Sequence, residues 1–116
     1  MCGIYGLVTS GNKKYSKKFI SKSFKKLAYL SESRGKDSSG ICIFNNSSKC
    51  FDIIKGPIQT TSLFNHKKTK LLMNNNIKSK SSVFAFGHSR LVTNGSQLDQ
   101  SNNQPTISNG IIGVHN

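Results

Sequence analysis

Residues 1–9 read Met1-Cys2-Gly3-Ile4-Tyr5-Gly6-Leu7-Val8-Thr9. Small and β-favouring residues alternate over 2–9, which predicts a strand, and Ser10-Gly11-Asn12 predicts the turn after it. The next segment has a different period. Over 14–32, Phe19, Ile20, Phe24, Leu27, Ala28 and Leu30 fall on one half of a helical wheel. Lys14, Lys18, Lys22, Lys25 and Lys26 fall on the other half, so an amphipathic helix is expected.

Further along, residues 33–40 are polar and glycine-rich and read as a loop. Ile41–Asn45 and Cys50–Lys55 read as a hairpin, which Gly56-Pro57 breaks. A second, weaker helix is expected over 58–73, ended by Asn74-Asn75-Asn76. Ser82–His88 reads as a strand and Thr93–Pro105 as a long polar loop of the kind that is usually functional or disordered. Ile107–Val114 reads as a hairpin turning at Asn109-Gly110. No internal repeat is visible. The chain then reaches His115-Asn116 directly after an apolar strand, and the domain is expected to be truncated there.

The 116 residues suffice for one domain. Hydrophobic residues make up 34%, enough for a modest core. No apolar run approaches the roughly 18–20 residues of a membrane helix. The N-terminus lacks a basic region and a cleavage site of secretory type. Cys2, Cys42 and Cys50 are an odd number without metal-ligand spacing, so neither a disulfide framework nor a zinc site is expected. A reducing cytoplasm is the expected location.

The net charge of +13 invites a nucleic-acid reading. Its distribution argues otherwise. Fifteen of the 17 cationic residues are Lys, whereas base readout and bidentate phosphate contacts favour Arg. Seven Lys crowd into 13–26 and none occurs in 81–116. A solvated helix face is the expected meaning. A small basic module for nucleic acid or an anionic surface is the alternative.

Four features could carry chemistry. Cys2 follows Met1, and initiator Met is removed before small residues. Cys2 would then hold a free α-amine able to act as base for its own thiol. Arg34-Gly35-Lys36-Asp37-Ser38-Ser39-Gly40 could approach another backbone closely and fix a charge pair. Arg90 stands at a strand end in a charge-poor segment. It reads either as a carboxylate clamp or as a structural Arg tying down loop carbonyls. Asn116 could donate to a developing oxyanion. Singly, each also has an ordinary reading as a buried Cys, a turn, a loop tie or a frayed end.

Together they are more specific. Met-Cys-Gly-Ile-x-Gly opens the chain, and Arg-Gly-x-Asp-Ser-Ser-Gly starts at 34. Gly-His-Ser-Arg-x-x-Thr-Asn-Gly starts at 87, Asn-Gln-Pro occupies 103–105, and Val-His-Asn closes the series. In this order they resemble the class II (N-terminal nucleophile) glutamine amidotransferase domain. The glucosamine-6-phosphate synthase type is the most similar, and the asparagine synthetase type is the alternative within the class.

The resemblance implies an α+β fold: the N-terminal part of a four-layer αββα Ntn-hydrolase sandwich, incomplete, with 1–116 as the first half of the domain. It implies that Cys2 attacks the glutamine carboxamide and Asn116 stabilises the oxyanion. Arg90, Thr93 and Asn94 would bind the substrate, and Arg34, Gly35 and Asp37 would support the nucleophile. Glutamine would yield glutamate and ammonia through a thioester. The ammonia would pass to an acceptor such as a sugar phosphate, on a synthase domain outside this chain. No cofactor or metal is implied, and neither a membrane nor nucleic acid is an expected partner. Leu91 and Asn94 stand where close relatives often have Trp and His. A second oxyanion donor and an acidic residue that binds the glutamine amine follow Asn116 in the family. The fragment alone is therefore expected to be poorly stable and nearly inactive.

Overall fold

Strand β1, Gly3–Thr9, buries Gly3 and Tyr5 on one face and exposes Ile4 and Val8 on the other. The computed structural model describes all of residues 1–116. After β1, Asn12 closes a turn by accepting from the Lys14 amide at 3.0 Å. Ser16 then caps helix α1, Lys17–Ser31, its Oγ accepting from the Phe19 amide at 3.1 Å. The helix thus starts three residues later than its hydrophobic period suggests. Ile20, Phe24 and Ala28, spaced by four, are its buried stripe. Phe19, Leu27 and Leu30 are not in the core, so the apolar half of the wheel is wider than the face that packs.

Glu32–Arg34 form one 3-10 turn, after which strand β2 runs Ser38–Asn45. It begins three residues before its apolar run. Ser38, Ser39 and Gly40 look like loop but pair with the neighbouring strand and are fully buried. Ser39 Oγ compensates by donating to the Ile58 carbonyl at 2.7 Å. A tight turn leads to β3, Cys50–Gly56. Cys42 pairs with Ile53 and is buried, whereas Cys50, at the start of β3, is exposed.

The single helix expected over 58–73 is two: α2, Thr60–Asn65, and α3, Lys67–Asn76. His66 is extended and ends one while starting the other. Strand β4, Val83–Arg90, continues two residues past its predicted end. Strands β5, Thr106–Ser108, and β6, Ile111–Gly113, form the expected small hairpin. Asn109 and Gly110 both take positive φ there, as a two-residue hairpin turn requires.

The main sheet has the order β1-β4-β2-β3, with every neighbouring pair antiparallel. The core lies between this sheet and the helices. Phe24 is its centre, with ring centroids 5.5 Å from Tyr5 and 5.7 Å from Phe64. Strand β4 alternates in burial over Val83–Phe86 and is buried on both faces from Gly87 to Arg90. Ser89 joins the helix layer, where its hydroxyl meets those of Ser31 and Thr60 at 2.6 Å each. Phe84 and Phe86 belong to the other face, with Phe44 and Phe51 in a chain of edge-on contacts. No helix covers that face, and Ile4 is 50% and Val8 67% exposed. The chain therefore has an α+β fold with helices on one side of an antiparallel sheet. No helix is long and apolar enough to cross a membrane.

Candidate active site

The ends of β1, β4 and the chain converge. Cys2 precedes β1 and Arg90 ends β4, and Gly3 pairs with Ser89 at that end. A cavity of about 330 Å³ opens there, lined by Cys2, Arg90, Leu91, Thr93, Asn94 and Asn116, among others. All five residues expected to catalyse or to bind substrate are in that wall.

The Cys2 backbone N–H donates to Asn116 Oδ1 at 2.7 Å. The Cys2 thiol lies 3.7 Å from the Leu91 carbonyl, its acceptor. With Met1 in place that backbone nitrogen is an amide; with Met1 removed it is the α-amine. An Asn amide whose oxygen already accepts keeps its NH₂ as the free donor.

Arg90 is 9% exposed. Its Nη2 donates to the Asn94 carbonyl at 2.6 Å and its Nη1 to Asn103 Oδ1 at 3.4 Å. The loop-tying role is therefore present. A guanidinium has five N–H donors, so about three remain, and neither of the two partners is a carboxylate. A buried cation without a counter-ion is costly unless an anion joins it.

Arg34, Gly35 and Asp37 lie behind the cavity rather than in its wall. Arg34 Nε donates to the Cys2 carbonyl at 3.0 Å. Asp37 Oδ2 accepts from the Val92 amide at 2.7 Å, and its own amide donates to the Arg90 carbonyl at 3.0 Å. The charge pair considered for this loop does not form: each of the two charged groups holds a different backbone segment. The close approach does form, since a Cβ on Gly35 would meet the Arg90–Leu91 peptide.

Sequence reading assigned no role to His88 or Gln104. The His115 peptide is held from both sides: its N–H donates to Gln104 Oε1 at 2.6 Å, and its carbonyl accepts from His88 Nε2 at 3.0 Å. That bond fixes the tautomer, so Nδ1 is the unprotonated nitrogen, and it is buried without a partner. Burial, partly offset by the hydrogen bond to the His115 carbonyl and reinforced by the neighbouring His115 and Arg90 side chains, depresses the His88 pKa from 6.5 to about 4. The unfolded chain therefore binds a proton here that the folded chain refuses. The contribution is fully present above pH 6.5 and is lost as pH falls through about 4. Urea titrations at pH 7.5 and pH 4.5 should differ by about 2 kcal/mol, and His88→Gln should shrink that difference.

The remaining cysteines differ from Cys2. Burial, with Asp52 nearby, pushes the Cys42 thiol up to about 12, which keeps it unreactive. Cys50 is exposed on β3 and is not in the cavity wall. No three His, Cys, Asp or Glu side chains come together as metal ligands would. The chain matches no protein-family model, and no curated protein matches it.

Proposed function

We propose that the chain is the nucleophile-bearing half of a class II glutamine amidotransferase domain. One observation carries the reading. Cys2, Arg90, Thr93, Asn94 and Asn116, drawn from the two ends of the sequence and the segment at the end of β4, line one cavity. In this reading Met1 is removed, and the α-amine takes the thiol proton while its hydrogen bond to Asn116 orients it. The Cys2 sulfur attacks the glutamine carboxamide carbon. The Asn116 NH₂ stabilises the oxyanion, the C–N bond breaks, and ammonia leaves with the proton from the amine. Water then cleaves the thioester to glutamate. The free donors of Arg90 bind the substrate α-carboxylate, which supplies the missing counter-ion. Thr93 and Asn94 complete the wall.

The fold is then the first helix layer and first sheet of the four-layer sandwich. The Phe44, Phe51, Phe84 and Phe86 face is where the second sheet packs. Ammonia passes to an acceptor, a sugar phosphate in the most similar family type, on a synthase domain outside this chain.

The test is intact-mass analysis of Met1-free protein treated with 6-diazo-5-oxo-norleucine, a glutamine-like electrophile. One adduct is expected, at Cys2, slowed by added glutamine and absent in Cys2→Ala. Labelling of Cys50 at the same rate, or no protection by glutamine, would overturn the reading.

A further inference from the structure

The helix layer carries a charge pattern that the amidotransferase reading does not use. All four carboxylates are committed elsewhere. Glu32 accepts from the Thr61 amide, Asp37 from Val92, Asp52 from the Asn45 side chain and Asp99 from Ser101. No lysine forms an ion pair with any of them. On α1 the charges also oppose the helix itself. Lys17 and Lys18 sit in the first turn, where the positive end of the helix dipole disfavours cations, and no acid accompanies them. Lys18, Lys22 and Lys26 follow one another at i,i+4, each neighbouring pair repelling. Lysines placed for helix stability alone would lie at the other end and alternate with acids.

These lysines form one surface. Lys17, Lys25 and Lys70 line a groove between α1 and α3. Lys25 is shared with a second groove on α1, lined also by Lys22, Lys26, Tyr29 and Leu30. Apolar side chains stand among them: Phe19 is 55% and Leu30 63% exposed, and Tyr15 stacks on Phe19 with centroids 5.3 Å apart. Both arginines lie elsewhere, at the cavity and behind it. Lysines with exposed Phe and Leu, and without Arg, suit a lipid interface better than nucleic acid. Lys needs only diffuse negative charge, and Leu30, the most exposed apolar side chain of this face, is aliphatic and gains nothing from stacking on bases.

We propose that the outer face of α1, with the adjoining edge of α3, binds the anionic surface of a lipid bilayer. Its lysines meet the phosphates, and Phe19 and Leu30 enter the acyl boundary. This departs from the absence of a membrane partner that the family resemblance implies and takes up the anionic-surface alternative that the charge offers. The reason is that the structure leaves every lysine without a carboxylate.

The test is sedimentation of the full 116-residue chain with vesicles. Binding is expected to vesicles of equal parts phosphatidylglycerol and phosphatidylcholine, not to phosphatidylcholine alone, and to fall steeply with added sodium chloride. Lys22→Glu/Lys25→Glu/Lys26→Glu should weaken it by at least about tenfold. Phe19→Ser/Leu30→Ser should weaken it several-fold at unchanged charge. Circular dichroism checks that both variants fold, and the salt series on the unaltered chain decides the matter if they do not. Equal binding to the two vesicle types overturns the proposal, as does no binding at low salt. Tighter binding to a single-stranded RNA oligonucleotide than to the anionic vesicles overturns it in favour of nucleic acid.

Discussion

Gly35→Ala is expected to lower the unfolding free energy by about 3 kcal/mol and to abolish labelling of Cys2 by the glutamine analogue. Gly35 has extended backbone, so the residue is not required for an unusual φ. It is required for space. A Cβ would meet the carbonyl carbon of Arg90 and the nitrogen of Leu91, which are backbone atoms of the sheet and cannot rotate aside. The same peptide region receives the Asp37 amide on the Arg90 carbonyl and offers the Leu91 carbonyl to the Cys2 thiol. One methyl group therefore strains the fold and moves the site together. Thermal melting and the labelling rate, measured on one preparation, check both. A Gly35→Ala protein with unchanged melting and labelling would contradict the close packing.

Arg90→Lys is expected to reduce capture of the glutamine analogue at least about a hundredfold while leaving most of the stability in place. The charge is kept, so a loss of this size reports geometry. A lysine ammonium has no planar fork. It cannot donate to the Asn94 carbonyl and present paired N–H groups to a carboxylate at once. The proposed function adds a signature. The loss should fall on the concentration dependence of labelling, since the α-carboxylate is a binding handle, and less on the limiting rate. It should also be smaller for an electrophile that lacks a carboxylate. Equal losses for both electrophiles would leave Arg90 with its loop-tying role alone.

Most of the framework was legible in the sequence where one physical signal dominated. Strand β1 declared itself by alternation, α1 by its period, and the last hairpin by Asn109-Gly110. The misses share a cause. Ser38-Ser39-Gly40 has loop composition, yet β4 supplies its hydrogen bonds and Ile58 its side-chain partner, both distant in sequence. His66 carries no breaker signature, yet its backbone is extended between two helices that each pack on β2. Phe19 and Leu30 are apolar by type and exposed by position, which a wheel cannot distinguish. At the candidate site, Cys2 and Arg90 stood out because each is chemically unusual in its surroundings. Gln104 and His88 did not, because their part is to hold the peptide of a third residue 11 and 27 positions away. The Asn-Gln-Pro run marked the place of Gln104 without showing its task.

The hydrogen bond between Cys2 and Asn116 spans a sequence separation of 114. A contact of that range carries the loop-closure entropy of everything between its two residues. During synthesis the first of these two residues leaves the ribosome long before the second. Until then the thiol has neither its amide partner nor a finished cavity around it. The environment that the Cys2 thiol has in the folded chain therefore exists only once residue 116 has been made, so its chemistry before and after that moment differs.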